Sequence, residues 1–423
     1  MAAGVSAMDK DRLQERTYSR RSRQLMRIAI VHYSSWPVIG GVETVIRQHA
    51  QLMTRYGHSV TIFCGSGRTF VPDVPTRVIP ELDWRNDIVT ASQEEAYNGN
   101  PGQAYFRLLN VLENSFGATL QNFDRVIAHN MFTMPFNLAV TQALAAFADR
   151  GMKMIAWTHD LAAANPDYRI PHHRVFNSIR EKHQRVRYVT VSDNRATEFK
   201  SLTGSEVDAI VPNALDFAGI WGISAEVANL VEKDLPSSMI LFFPTRILER
   251  KNIGLALQIV AALRDLGVAV RLLISGAANL YNRTATEHLA ALKKLAADLR
   301  IAELVTWVNE SFVVDELHLR SLYAVSDAVL YPSRQEGFGL PLLEAAAFRL
   351  PIFCSNIEPL KSIAHSGTHL FDLRHSPRNI AERIRTALEQ DPGFQGRKQL
   401  LRKNSAERVY VEKIEPLLQD PHK

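Results

Sequence analysis

Short runs of apolar and β-branched residues alternate with helical patterns along most of the chain, and they do so in two series. The first series begins at RIAIVHY (27–33), and the second begins at MILFFPT (239–245). Strand-then-helix alternation is typical of a parallel sheet covered by helices. A length of 423 residues is also sufficient for two or three domains. We therefore predict an α/β protein with two parallel-sheet units of similar size.

Individual elements can be placed from the same pattern. The apolar-periodic stretch 42–56 predicts a helix that ends at Gly57, and 136–150 predicts another. Strands of the first series are predicted at 27–33, 59–64, 77–82, 125–130, 153–159 and 187–192. In the second series we predict strands near 239–245, 268–276, 304–309, 327–331 and 351–356, and helices near 252–267 and 284–299.

The alternation pauses after VPNALD (211–216), and this pause sets the predicted domain boundaries. The stretch that follows contains no strong strand pattern and includes Pro236-Ser237-Ser238. The predicted parts are a basic, disordered tail at 1–26, an N-terminal parallel-sheet α/β domain at 27–215, a hinge or linker at 216–236, a C-terminal parallel-sheet α/β domain at 237–403, and a terminal helix at 404–423. We expect this helix to be kinked at Pro416 and to pack back on the N-terminal domain.

The positive charge of the chain is concentrated at its beginning. Residues 1–27 hold seven Lys and Arg against three acids, which account for four of the five excess positive charges. The folded part is therefore nearly neutral, and we expect no nucleic-acid partner. A solvated, disordered arm is the simplest interpretation of the tail. Weak contact with an acidic membrane surface is the alternative that stays open.

The sequence contains neither a secretory h-region nor an apolar run of membrane-spanning length, which is about 18 residues. Its two cysteines, Cys64 and Cys354, lie at the ends of apolar runs and form no Cys-x-x-Cys motif. Buried thiols of this kind are compatible with a reducing compartment. We therefore expect a cytoplasmic protein.

The stretch PSRQEGFGLPLLEAAAFRLP (332–351) is the strongest candidate for a functional site. It follows an apolar strand, and Pro341 suits the first turn of a helix. Ligands of parallel α/β sheets bind at the carboxyl ends of strands, beside helix N-termini. Glu336 and Glu344 can accept hydrogen bonds from hydroxyls, and the glycines between them allow backbone N–H groups to approach a phosphate. A favourable acid at a helix start explains Glu344 alone but not the whole segment.

This segment resembles the signature of the family 4 glycosyltransferases, which are retaining enzymes with the GT-B fold. Other motifs resemble that family in the expected order, and together they cover about 27–390. They are PVIGGVE (37–43), VPNALD (211–216, with Ala214 where glycine is more usual), PTRILERKN (244–252), RLLISGA (271–277) and LYAVSDAVLYPS (322–333).

The resemblance implies two Rossmann-like domains that face each other across a cleft. It implies the retaining, metal-independent transfer of a hexose, for example glucose or mannose, from a UDP- or GDP-hexose. The acceptor would be a hydroxyl of a small organic molecule, a sugar, a glycan or a lipid. The nucleotide sugar is a co-substrate, so no cofactor is expected. A GT-B-type nucleotide-sugar epimerase and a catalytically silent sugar-nucleotide-binding subunit are the alternatives.

Residue roles follow from the same resemblance. Arg246 and Lys251 would neutralise the leaving diphosphate, for which Arg offers bidentate geometry. His159 would contact the transferred sugar, and His129 is a weaker candidate. The predicted catalytic residues are His159, Glu336, Arg246 and Lys251. The predicted donor-binding residues are Gly40, Gly41, Gly276, Glu336, Gly337, Phe338, Gly339, Leu340 and Glu344.

Other sites are less favoured by the sequence. A full G-x-G-x-x-G after the first strand and a P-loop are both missing. The one Asp-x-Asp is Asp9-Lys10-Asp11, in the charged tail, and the histidine pairs at 172–173 and 365–369 lack a clear third ligand, so we predict no metal site. We expect 83–122 to shape the acceptor pocket. The nucleotide base should lie near 305–312, where Asn309 replaces a frequent glycine of the family.

Overall fold

The computed structural model describes residues 24–276 and 283–419. Its described part divides into two compact units. Unit 1 runs to Ala214 and also includes the chain from Ala406 onwards, whereas unit 2 is Leu215–Ser405. Most of the predicted basic tail, residues 1–23, lies outside the described residues, as does Asp9-Lys10-Asp11. Each helix of the described part is too short or too polar to cross a membrane.

Unit 1 contains a seven-stranded parallel sheet in the order β3-β2-β1-β4-β5-β6-β7. Its strands are β1 (Arg27–Ser34), β2 (Ser59–Ser66), β3 (Thr76–Val78), β4 (Arg125–His129), β5 (Met154–Thr158), β6 (Val186–Thr190) and β7 (Ala209–Ile210). Successive residues of β1 point into two different core clusters, which explains why its sequence is apolar throughout. The chain runs outward from β1 to β3 and then returns to pair β4 with β1. The strand order therefore reverses between β1 and β4, and ligands of such sheets bind at this switch point.

Between residues 24 and 214, five α-helices cover this sheet. They are α1 (Gly41–Arg55), α2 (Asp87–Tyr97), α3 (Gln103–Thr119), α4 (Leu138–Asp149) and α5 (Asp193–Thr203). The segment 83–122, expected to shape an acceptor pocket, folds mainly as α2 and α3. Helix α3 buries Tyr105, Leu108, Leu112 and Phe116, whose three- and four-residue spacing places them on one face in the core.

The predicted strand at 77–82 is wrong beyond Val78. Strand β3 ends at Val78, and a 3-10 turn follows at Pro80–Leu82. Proline has no backbone N–H and cannot donate to the sheet ladder, so Pro80 ends the pairing.

The end of the chain packs on unit 1 as a helical segment with three parts: Ala406–Val409, a π turn at Tyr410–Ile414, and Glu415–Leu418. The ring of Tyr410 stacks on that of Tyr56 at 4.3 Å between centroids. The guanidinium of Arg125 donates to the carbonyl oxygen of Leu418 at 2.9 Å. The irregular π turn lies just before Pro416, whose missing N–H removes one bond of a regular helix.

Unit 2 contains a six-stranded parallel sheet in the order β10-β9-β8-β11-β12-β13. Its strands are β8 (Met239–Phe243), β9 (Val270–Ile274), β10 (Val305–Trp307), β11 (Ala328–Tyr331), β12 (Ile352–Ser355) and β13 (Thr368–Phe371). The strand order reverses between β8 and β11. The loops that follow these two strands, 244–252 and 332–339, therefore start at the switch point of this sheet.

The α-helices of unit 2 complete the second Rossmann-like domain. They are α6 (Phe217–Trp221), α7 (Ala225–Val231), α8 (Ile253–Asp265), α9 (Arg283–Asp298), α10 (Glu316–Val325), α11 (Leu340–Ala347), α12 (Pro377–Glu389) and α13 (Pro392–Asn404). The segment 216–236, expected to be a linker, forms α6 and α7. Ser224 caps α7 through its side chain, and Val227 and Val231 are buried in the core of unit 2. This burial ties the segment to unit 2.

A buried ion pair fixes α13 to the sheet of unit 2. Lys398 Nζ lies 2.7 Å from Asp327 Oδ2, and the two side chains are 2% and 0% exposed. Lys398 also donates to the carbonyl oxygen of Leu235, and the Asp327 carboxylate accepts from the backbone N–H of Ile240. Burial lowers the pKa of Lys398, although the charge of Asp327 opposes this effect. Both charges therefore have partners in a place from which water is excluded.

Candidate active site

Lys251 and Glu336 meet at the switch point of unit 2. Lys251 Nζ donates to Glu336 Oε1 at 2.6 Å and to the hydroxyl of Tyr331, the last residue of β11, at 2.8 Å. The side chains of Lys251 and Glu336 are only 9% and 6% exposed. The two residues come from different loops that start beside each other because β8 and β11 are neighbours in the sheet. The structure thus brings together two residues that the sequence proposes for catalysis.

Backbone and side-chain bonds hold the two loops in register. The backbone N–H of Arg334 donates to the carbonyl oxygen of Arg250 at 2.8 Å. The side-chain amide of Asn252 donates to the carbonyl oxygen of Pro332 at 3.1 Å. These bonds do not involve Lys251 or Glu336, so the pair sits on a framework that is fixed independently of it.

The environment favours the ionised form of Glu336. Burial raises the pKa of this carboxyl, but hydrogen bonding to Lys251 works against burial, and the net pKa is below its usual value. Burial lowers the pKa of Lys251, opposed by Glu336. Burial, followed by the charge of Glu336, raises the pKa of Tyr331, which stays a neutral hydrogen-bonding hydroxyl.

Positive charge is in excess around this carboxylate. Arg250, which the sequence analysis did not select, donates to the carbonyl oxygen of Gln335 at 3.0 Å and lies 3.5 Å from Glu336 Oε2. Arg246 is exposed, and its charge helps to lower the pKa of Lys251. Three cations thus accompany one carboxylate, a balance that suits an anionic ligand such as a diphosphate. In the run Glu249-Arg250-Lys251, the position of Arg250 directly before Lys251 could have indicated this second arginine of the site.

The glycine loop leads into α11. Gly339 has φ +103°, a left-handed conformation that favours glycine, and a Cβ there would lie 2.5 Å from Leu360 Cδ2. A Cβ on Gly337 would meet no heavy atom of the described residues within 4 Å. Within the described structure no side chain caps the first turn of α11, and Phe338 and Leu340 are exposed. Pro341 has no N–H and the N–H of Leu342 donates to the carbonyl oxygen of Gly339, so in this turn the N–H of Leu340 is the group left for a ligand among the described residues.

Tyr323 holds the second glutamate. Its hydroxyl, on α10, donates to Glu344 Oε2 on α11 at 2.6 Å, and the ring is buried against Phe348. Burial raises the pKa of Tyr323, and the bond to Glu344 raises it further. The sequence analysis quoted the motif LYAVSD but gave this tyrosine no role.

Gly276 has a packing reason to be glycine. A Cβ at this position would lie 1.6 Å from the carbonyl oxygen of Thr245, because the segments that directly follow β9 and β8 approach each other closely here. Its predicted contact with the donor stays a prediction. Nearby, Asn309 does not point freely into solvent but donates to the carbonyl oxygen of Ser275.

Polar residues also gather at the switch point of unit 1. Gly40 precedes α1, and a Cβ on it would lie 2.1 Å from Glu43 Oε2, so glycine here leaves room for that carboxylate. Glu43 accepts a hydrogen bond of 2.5 Å from the hydroxyl of Ser34 and lies 3.9 Å from His32 Nε2. Apart from its chain neighbours and its own helix backbone, a Cβ on Gly41 would meet no described heavy atom within 4 Å. The sequence analysis gave no role to His32, Ser34 or Glu43.

The two predicted histidines of unit 1 are bonded to each other. His129 ends β4, His159 follows β5, and His129 Nδ1 lies 2.9 Å from His159 Nε2. The Nδ1–H of His32 donates to the carbonyl oxygen of His129, also at 2.9 Å. Burial lowers the pKa of His159 to about 3, and burial also places the pKa of His129 well below its usual value. Both imidazoles are therefore neutral near pH 7.

The remaining histidine pairs lie apart from these sites. His172 and His173 are exposed, and the ring of His369 stacks on that of Phe353. Across 24–276 and 283–419 no three His, Cys, Asp or Glu side chains are grouped so as to hold a metal ion.

Sequence models of two families match the chain. The model of Glycosyltransferase Family 4 covers residues 39–218, and that of Glycosyl transferases group 1 covers 232–408. The chain belongs to the family 4 glycosyltransferases. The predicted GT-B class, with two Rossmann-like parallel-sheet domains, is thereby confirmed.

This glycosyltransferase has named relatives at moderate identity. It is 24% identical over 372 residues to mannosylglucosylglycerate synthase of Thermotoga maritima, across 80% of this chain and 82% of the relative. It is also 24% identical over 358 residues to D-inositol 3-phosphate glycosyltransferase of Segniliparus rotundus, across 80% and 76% of the two chains. Among solved structures, sucrose-phosphate synthase from Thermosynechococcus elongatus aligns over 92% of this chain and 98% of its own, with 15% identity and a TM-score of 0.38.

Proposed function

We propose that this glycosyltransferase moves a hexose from a nucleoside diphosphate sugar to a hydroxyl acceptor, with retention of the anomeric configuration. The donor class is a UDP- or GDP-hexose such as glucose or mannose. The observation that carries the proposal is the Lys251–Glu336 pair at the switch point of unit 2, surrounded by Arg246, Arg250 and the open N-terminus of α11.

The diphosphate is assigned to the cationic side of this site. As the bond between the anomeric carbon and the phosphate oxygen breaks, negative charge grows on the departing phosphate. Lys251, Arg246 and the N-terminus of α11 stabilise that charge, and preorganised groups of this kind are usually the largest contribution to catalysis. With these groups present the reaction proceeds without a metal ion, and no cofactor beyond the two substrates takes part.

The transferred sugar is assigned to the loop around Gly337. Glu336 accepts hydrogen bonds from sugar hydroxyls, and Glu344 accepts them from the ribose. The acceptor hydroxyl attacks on the face that the diphosphate leaves, so no covalent enzyme intermediate forms. The new bond joins the acceptor oxygen to the anomeric carbon, and the hydroxyl proton passes to the departing phosphate oxygen. Attack on the same face gives retention.

The acceptor and the second sugar contact are assigned to unit 1. His159 and the Gly40-Gly41 loop lie at the carboxyl ends of its strands, where ligands of parallel sheets bind. The two relatives named above are, by their names, enzymes of a glycerate derivative and of an inositol phosphate. Small hydroxylated acids and sugar phosphates are therefore the first acceptors to test, ahead of glycans and lipids.

A donor and acceptor panel tests the proposal. Purified protein is incubated with UDP-, GDP- and ADP-hexoses and candidate acceptors, and mass spectrometry detects the released nucleotide and the product. NMR of the anomeric proton then gives the linkage. An axial donor linkage should give an axial product, whereas an inverted product would refute the retaining mechanism. An epimerase would change the donor sugar without an acceptor, and a silent subunit would bind the donor without turnover.

A further inference from the structure

The ammonium group of Lys251 is held by the protein at two points. It donates to Glu336 Oε1 at 2.6 Å and to the hydroxyl oxygen of Tyr331 at 2.8 Å. A lysine ammonium carries three N–H groups. Among the described residues no third acceptor is found for Nζ, so one N–H is left for a ligand. Because the nitrogen is tetrahedral, the two bonds to the protein also fix the direction of this third N–H.

Tyr331 is anchored in the sheet of unit 2. It is the last residue of β11, and its backbone is in register with Cys354 of β12. Its ring is buried and packs edge-on against the ring of Phe243, the last residue of β8, at 5.7 Å between centroids. Glu336, in contrast, lies in the loop that follows β11. The sheet core therefore sets the position of the Tyr331 hydroxyl.

The hydroxyl of Tyr331 is suited to holding a cation beside an anionic ligand. The apolar contact with Phe243 needs only the ring, whereas the hydroxyl oxygen accepts from Lys251. Burial raises the pKa of Tyr331, so the hydroxyl stays neutral. A neutral acceptor holds the ammonium without the negative charge that a second carboxylate would bring. The excess of cations around Glu336 is therefore kept for the ligand.

The charged groups that face Lys251 come from two loops. Glu336 follows β11, whereas Arg246 and Arg250 lie on the same loop as Lys251 itself. Burial lowers the pKa of Lys251, Glu336 opposes this effect, and the two arginines add to it. A group that accepts a hydrogen bond from the ammonium favours its charged form. The hydroxyl of Tyr331 therefore helps Glu336 to keep Lys251 protonated.

We propose that Tyr331 is a positioning residue: with Glu336 it holds the ammonium of Lys251 so that the third N–H meets an oxygen of the donor diphosphate. The identity of that oxygen rests on the proposed function. The hold of Tyr331 on Lys251 does not, because it follows from contacts within unit 2.

An NMR titration tests the hold of Tyr331 on Lys251 in the intact protein without any substrate. In a sample with ¹³C-labelled lysine, the chemical shift of Cε follows the ionisation of each side chain, and Lys251→Ala identifies the signal of Lys251. Tyr331→Phe removes one acceptor of the charged form. We therefore expect the pKa of Lys251 to fall by about one unit in this variant. An unchanged pKa would overturn the proposal.

A double-mutant cycle tests whether the hydroxyl acts through the lysine. We expect kcat to fall about 10-fold in Tyr331→Phe, with a smaller change in donor KM, because the charge on the leaving phosphate grows only in the transition state. In a Lys251→Ala background the same substitution should change kcat by less than about twofold, because the group that it positions is missing. Losses that multiply independently in the double variant would overturn the proposal.

Tyr188→Phe is the matched control for the loss of a buried hydroxyl. Tyr188 is buried in β6 of unit 1, and its hydroxyl accepts from the backbone N–H of His183 at 3.2 Å. This variant should keep the kcat of the wild type even if its melting temperature falls. Equal losses of kcat in Tyr331→Phe and Tyr188→Phe would contradict a positioning role. Failure of the wild type to turn over any donor would count against the proposed function, whereas the titration would still decide whether Tyr331 holds Lys251.

Discussion

Lys251 and Glu336 form a hydrogen-bonded ion pair of 2.6 Å although 85 residues separate them in the chain. Each follows one of the two strands that flank the reversal of strand order in unit 2. The same carboxylate lies 3.5 Å from Arg250. A diphosphate that approaches this candidate site would share Lys251 with Glu336 and would also meet the charges of Arg250 and Arg246, which that one carboxylate does not balance.

Tyr323→Phe should weaken donor binding more than turnover. The substitution removes the hydroxyl that donates to Glu344. The carboxylate then loses the bond that holds it in place for the proposed contact with the ribose. We expect the donor KM to rise about fivefold to 10-fold, in line with one lost hydrogen bond to a charged group, with kcat changed less. Steady-state kinetics measure both. Tyr168→Phe, in unit 1, is the control, and an unchanged KM in Tyr323→Phe would contradict the role of Glu344.

Lys398→Met should destabilise unit 2. It leaves Asp327 buried without its cation, and breaking a buried pair by removing one partner costs about 3–5 kcal/mol. Urea unfolding, followed separately for each transition because two domains need not unfold together, measures the loss. The double variant Lys398→Met/Asp327→Asn should recover part of it.

The matched control is Arg378→Met, which breaks the exposed i,i+4 pair with Glu382. That change should cost less than about 0.5 kcal/mol. A Lys398→Met protein as stable as the control would show that the buried pair contributes little.

Acid should destabilise unit 1 through its buried histidines. Burial lowers the pKa of His49 and of His159 to about 3 from an ordinary value of 6.5. The unfolded state therefore binds more protons than the folded state. The free energy of unfolding decreases as pH falls below 6.5, and it decreases further until pH reaches about 3. Each histidine should lower the free energy of unfolding at pH 5 by about 2 kcal/mol relative to pH 7.5. Urea midpoints from pH 5 to 8 measure the slope. His49→Leu should reduce the pH dependence of stability by the equivalent of one proton. An unchanged slope in this variant would contradict the lowered pKa of His49.

Two glycines of the donor site should respond differently to a methyl group. Gly276→Ala places a Cβ 1.6 Å from the carbonyl oxygen of Thr245, so the strand ends must separate and unit 2 should lose stability. Gly337→Ala meets open space, so its melting temperature should stay near that of the wild type while donor affinity falls. Thermal unfolding and calorimetric titration with UDP or GDP compare the pair. Equal melting temperatures in both variants would refute the packing explanation for Gly276.

The strand–helix alternation was enough to predict two parallel-sheet domains, because strand residues buried on both faces are apolar throughout. Helices α2 and α3 were not placed, although Tyr105, Leu108, Leu112 and Phe116 carry a helical spacing. They lie between the predicted strands at 77–82 and 125–130, in a stretch for which the sequence analysis predicted no helix. The 216–236 segment was predicted as a linker because its two helices are short and carry few buried residues, which are Phe217 in α6 and Val227 and Val231 in α7.

The candidate site was predicted better than its internal contacts. The motifs predicted that Lys251 and Glu336 contact the same ligand. Their pairing depends on β8 lying beside β11, and this adjacency is known only once the strand order of the sheet is known. The bond between His129 and His159 likewise depends on β4 lying beside β5. Tyr323 and Arg250 act through neighbouring side chains, and local sequence patterns do not report such contacts.

The rate of Lys251→Ala in EDTA tests the central claim most directly. The account predicts that wild-type turnover of the nucleotide sugar persists in EDTA, while kcat of Lys251→Ala falls roughly 100- to 1,000-fold, the usual cost of losing one preorganised donor to a developing charge. Arg250→Ala, which removes a more exposed cation, should lose less than about 10-fold. Near-normal turnover of Lys251→Ala would contradict the role given to this lysine, and loss of wild-type activity in EDTA would contradict the metal-independent mechanism.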